Sequence, residues 1–180
     1  MRLGILVKTF VRPNLAETLD AVVAHGFDCV QFNFACLGLP SLPEKIDPAV
    51  VSAAACELER RRISVAAVSG TFNMIDPDPA KRREGLRRLD LIAASCAGLG
   101  APLVTLCTGT RDPQDMWRAH PQNDSAAAWR DLQVSMREAL KIADRHNVCL
   151  GIEPETTNVV NSARKARRCL DEMESPRLKI

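Results

Sequence analysis

Hydrophobic and polar positions fall into two alternating periods along the chain. Short runs that are apolar at nearly every position recur at 3–7, 28–32, 63–68, 102–107 and 148–152, each read as a buried β-strand. Between them apolar residues repeat every three or four positions, the spacing of a helix with one buried face. Asn14 opens the first helix with Glu17 three residues on, the spacing of a capping box. Leu15, Leu19, Val22 and Val23 form its inward stripe, and Gly26 ends it. Asp47-Pro48 caps the second helix, with Val51, Ala54, Ala55 and Leu58 inward. Asp78-Pro79 caps a long third helix, whose stripe is Leu86, Leu89, Ile92, Ala93 and Cys96 and whose stop is Gly98-Leu99-Gly100. Ser125 caps the fourth, which turns Trp129, Leu132, Met136, Ala139, Leu140 and Ala143 inward. A fifth spans 162–173 with Ala163, Ala166, Leu170 and Met173 inward, and Arg177-Leu178-Lys179-Ile180 reads as the start of a sixth strand.

Strands apolar on both faces and separated by single helices imply a parallel sheet covered by helices. A doubly wound nucleotide-binding sheet would carry a glycine-rich phosphate turn after strand one. Here strand one runs into Lys8-Thr9-Phe10-Val11-Arg12-Pro13, with neither G-x-G-x-x-G nor a Walker motif. In a barrel, polar residues gather just past the C-terminal end of each strand. Asn33, the run Ser69-Gly70-Thr71-Phe72-Asn73, the run Thr108-Gly109-Thr110-Arg111-Asp112, and Glu153-Pro154-Glu155 all do so. The expected fold is therefore α/β, a (β/α)8 TIM barrel that is incomplete: five βα units and the start of strand six. It is read as one domain over 1–180, truncated at its C-terminus. Strands one and six would then present unpaired edges, with a homo-oligomer as one expected result.

Composition changes this picture little. The 180 residues are 46% hydrophobic and carry a net charge of +2, so neither nucleic acid nor a membrane surface is an expected partner. The basic clusters at Arg60-Arg61-Arg62, 81–88 and 164–168 lie on helices opposite the apolar stripe and read as solvated outer faces. The apolar run at 3–7 is too short for a signal peptide or membrane span, and the seven scattered cysteines contain no C-x-x-C. Reduced thiols in a cytoplasmic protein are the expectation.

Glu153 is the sharpest single candidate. A carboxylate that ends a buried strand stays ionised only beside a cation or strong donors. A divalent metal meets that need, and oxygen-rich sites favour Mg²⁺ or Mn²⁺. A salt bridge to Arg111 on the neighbouring loop meets it equally well.

The Ile152-Glu153-Pro154-Glu155 turn resembles the sugar phosphate isomerase/epimerase family with the xylose-isomerase-like TIM barrel. So does the run from Thr108 through Met116-Trp117, His120-Pro121 and Asn123-Asp124, and the element order matches along the whole chain. The resemblance implies that Glu153 ligates a divalent cation (Mn²⁺, Mg²⁺ or Co²⁺) and is one of two carboxylates that move a proton next to a carbonyl, through an enediolate. The family's other ligands, an Asp after strand six, a His and a strand-eight Glu, have no counterpart in these 180 residues. The substrate implied is a small sugar or sugar phosphate. Trp117 and His120, in the irregular loop over the mouth, are candidate sugar contacts, against loop anchoring and simple solvation. Arg111 is a candidate for an anionic substrate group or a loop ion pair. Asn33, Asn73 and Glu155 are candidates on position, Glu155 lying on the same side as Glu153. His25 and His146 end helices, where a cation suits the dipole, and no function is expected of them. Two competing readings are an endonuclease-like metal hydrolase acting at abasic sites, which would need early-strand histidines that are lacking, and a barrel fragment without catalysis.

Overall fold

A computed structural model describes residues 2–180. Six strands form one sheet in sequential order: β1 (Ile5–Leu6), β2 (Cys29–Phe32), β3 (Ser64–Ser69), β4 (Leu103–Leu106), β5 (Cys149–Ile152) and β6 (Leu178–Lys179). Every adjacent pair is parallel. Five helices make the crossovers: α1 (Leu15–Ala24), α2 (Pro48–Arg60), α3 (Pro79–Leu99), α4 (Ala126–His146) and α5 (Ala163–Met173). Sequential order with one helix per crossover is the wall of a TIM barrel, and this chain forms a partial one, as expected.

The helix starts follow the side chains that cap them. Asn14, Asp47, Asp78, Ser125 and Ser162 each accept a backbone N–H of the first turn through a side-chain oxygen. At α1 the expected box is altered: Glu17 does not reach back to the backbone but accepts from the Asn14 side-chain amide at 2.7 Å. Strand one is shorter than its apolar run, because at Val7 the chain turns into a 3-10 segment, Val7–Thr9, that buries Val7 fully. Two inward assignments fail. Val23 is exposed because it sits one position past the stripe of Leu15, Leu19 and Val22, and Ala163 is exposed in the first turn of α5, where Cys169 is buried instead.

The main core lies between sheet and helices. Val30, Phe32, Val68, Val104, Leu106, Leu150 and Ile152 meet Leu19, Leu58, Leu89, Ile92, Leu132 and Met136 there. Phe72 closes the top of α3 by lying on Gly85, where a Cβ would collide with its ring. Pairing between β2 and β3 slips once: Val30 faces Val65, but Gln31 faces Ala67. Ala66 is thus a bulge residue beside Gln31. No described helix is long and apolar enough to cross a membrane. All seven cysteines are free: Cys29, Cys96, Cys107 and Cys169 buried, Cys56 exposed.

Candidate active site

Glu153 follows β5 directly, and its backbone N–H continues the sheet by donating to Leu106 O at 2.8 Å. The extended backbone turns its side chain to the same face of the sheet as Thr105 and Gln31, the concave face. There the Gln31 amide from β2 donates to Thr105 Oγ1 on β4 at 2.8 Å and to Glu153 Oε1 at 3.3 Å. A carboxylate can only accept, so the amide must present its nitrogen. The carboxylate is exposed at the open end of the wall and has no salt-bridge partner among the described residues.

Arg111 is not that partner. Its guanidinium pairs with Asp131 on α4 at 2.6 Å and donates to Ile75 O at 3.1 Å, with the side chain only 10% exposed. Of the two uses open to Arg111, the loop ion pair is the one the structure contains. Asn33 likewise serves the fold. It is fully buried, and its Oδ1 accepts from Ala35 N at 2.9 Å to start the 3-10 turn Phe34–Leu37, while its Nδ2 has no partner. Burial explains why its position after β2 does not make it a group open to a substrate.

Loops after β3, β4 and β5 are tied together by three asparagines. Asn73 accepts from Thr110 N at 3.0 Å and donates to Thr110 O at 2.8 Å. Asn158 accepts from Gly109 N at 2.7 Å. Asn123 accepts from Arg111 N at 2.7 Å and donates to Thr157 O at 2.9 Å. Gly109 is needed at this crossing: its φ is +77°, and a Cβ would collide with Asn73 Oδ1. Asp112 then folds the next turn by accepting from Gln114 N and Asp115 N, each at 2.9 Å. Those two donors, with Arg118 behind them, hold its carboxyl below the usual range.

This frame carries Trp117 and His120. Trp117 is 51% exposed, its backbone N–H donating to Asp115 Oδ1 at 2.9 Å. His120 Nδ1 accepts from Gln122 N at 3.2 Å, so a neutral ring carries its proton on Nε2 and is left as a donor. Glu155 is half-buried, and both it and Glu153 lie near enough to Cys107 to add to the burial that pushes its thiol up to about 12. His25 and His146 end α1 and α4, at the opposite rim, bonded to Ala21 O and Asp90 Oδ1.

A divalent cation fits these residues only in part. Glu153 offers one anionic oxygen ligand, but no group of three or more His, Cys, Asp or Glu among the described residues is arranged to hold a metal ion. Sequence reasoning missed Gln31 and Asn158, and named Asn123 only as part of the loop run and not as a tie between loops. Gln31 had a signal, a lone amide in an otherwise apolar strand. Asn158 had none, because its partner Gly109 is 49 residues away.

The model of the family described as xylose isomerase-like TIM barrel matches residues 19–180. No curated protein matches the chain. Among solved structures, a 3-keto-D-glucoside 4-epimerase from E. coli superposes with a TM-score of 0.78 at 17% identity, over 99% of this chain and 66% of its own. A D-psicose 3-epimerase from Clostridium cellulolyticum H10, solved with D-tagatose, gives 0.75 at 17%, over 99% and 62%. A xylose isomerase-like TIM barrel protein from Mycobacterium smegmatis, in complex with magnesium, gives 0.74 at 13%, over 98% and 62%. The chain thus spans less than two thirds of the length of each of these neighbours.

Proposed function

Because this chain belongs to the xylose isomerase-like TIM barrel family, we propose that it carries the fifth-strand part of a site that isomerises or epimerises a keto sugar or sugar phosphate. The observation behind this reading is Glu153: a carboxylate past a barrel strand, on the concave face, held by a neutral amide instead of a countercharge. That leaves its charge available for substrate. In this reading Glu153 takes the proton from the carbon beside the carbonyl, a contribution of about 10²–10⁴-fold. The second carboxylate that this chemistry calls for has no counterpart identified among the described residues. Trp117 supplies an apolar wall to the sugar, and His120 Nε2 a donor to a hydroxyl or phosphate oxygen. Glu155 borders the same space.

Glu153 also suits one corner of a divalent-cation site, with Mn²⁺, Mg²⁺ or Co²⁺ as candidates, though the described residues do not gather three such ligands. Such a cation would supply charge stabilisation to the oxygens of an enediolate, worth several kcal/mol.

Proton exchange tests the proposal. The protein, supplied with Mn²⁺, is incubated in D₂O with a panel of ketoses and ketose phosphates. Deuterium should enter the carbon next to the carbonyl of at least one. Glu153→Gln should lower the rate by about 10²–10⁴-fold without loss of fold. Failure of the unmutated protein to exchange a proton with any of them rejects the reading.

A further inference from the structure

We propose that Gln31 is a positioning residue for Glu153, locked in place by Thr105. This rests on the reading of Glu153 as the functional carboxylate. Gln31 leaves β2 and meets β5 across the intervening strands, 122 positions on in sequence. Its amide nitrogen has two hydrogens, and both are committed: one to Thr105 Oγ1 at 2.8 Å, one to Glu153 Oε1 at 3.3 Å. The threonine contact is the shorter and lies on a buried residue, so it sets the direction of the amide. The carboxylate then takes its orientation from an already fixed donor. A lysine or arginine in that place would neutralise Glu153. A glutamine restricts its rotamer and leaves its charge intact.

The arrangement predicts that Thr105 acts on Glu153 only through Gln31, and three variants separate the links. Gln31→Met keeps length and volume but removes both donors. Thr105→Val keeps shape and frees the amide. The double variant tests their dependence. The direct readout is the Gln31 side-chain amide pair in a ¹H–¹⁵N spectrum of the protein. Glu153→Ala should shift both resonances and speed their exchange with water, and so should Thr105→Val. Unmoved Gln31 resonances in the Glu153→Ala protein would overturn the proposal whether or not the protein turns over any sugar. Where the unmutated protein turns over a sugar, Gln31→Met should lower kcat by about 10–100-fold, the range for groups that orient a ligating or catalytic side chain, while KM stays within about twofold. Thr105→Val should lower kcat by a smaller factor, and adding it to Gln31→Met should change nothing further. Independent, multiplying effects would assign both residues an ordinary packing role and reject the proposal. If the unmutated protein proves inactive while the amide shifts appear, the isomerase reading falls and the Gln31–Glu153 contact stands.

Discussion

The side chain of Asn158 shows how much of the mouth depends on single polar groups. It is fully buried and accepts the Gly109 N–H. Asn158→Ala would leave that N–H without a partner, a loss of about 1–3 kcal/mol, read as an earlier midpoint in urea with unchanged slope. Gly109→Ala meets both a positive φ and the Asn73 oxygen, so it should cost at least about 1–2 kcal/mol. Asp112 gives the pH signature. Its folded pKa lies below the unfolded value of about 3.9, so its contribution is full above that pH and fades as pH falls through the folded value. Asp112→Asn should therefore lower Tm at pH 7, and the difference from the unmutated protein should shrink as pH falls below the ordinary carboxylate range. Thiols report burial: Cys56 should react first with a thiol reagent, and Cys96 and Cys107, each pushed up to about 12 by burial, last.

Among the elements, helix starts were the most legible part of the sequence. Asn14, Asp47, Asp78 and Ser125 cap the helices they were expected to cap, because a cap is a contact between residues two or three apart. Asp78→Ala should cost about 1 kcal/mol and lower Tm by about 2–4 °C. Strand positions were legible to within a few residues, except that β1 stops at Leu6, where its apolar run gave no sign of the 3-10 turn. Glu153 stands out in the sequence as a charge just past an apolar strand, and the structure places it exposed at the strand's end. The partnership with Gln31 was not legible, because it depends on which way two strands face after the sheet has curved. The same limit hid the uses of Arg111 and Asn33, whose partners, Asp131 and the turn at Ala35, are settled by how loops pack.

At the scale of the molecule, the pairing is uneven. β2–β3 and β4–β5 are matched over four positions each, whereas β1–β2, β3–β4 and β5–β6 are matched over two. Amide hydrogen exchange should follow ladder length and edge position, slowest at Val104 and Leu150 in the four-position β4–β5 ladder and fastest at Ile5 and Lys179 in the outermost strands. Comparable protection across all six strands would contradict it. Arg111 from the β4 loop and Arg82 from α3, both reaching Asp131, tie that loop and α3 to α4.

Ala66 gives the third strand one residue more than its neighbour's spacing uses. A version without it would still match Val30 to Val65 and Gln31 to Ala67, now along a straight ladder. Such a deletion would remove the extra local twist that a bulge adds beside position 31. Strand length here works like an adjusting screw: one small residue changes the local course of the sheet next to a side chain on another strand.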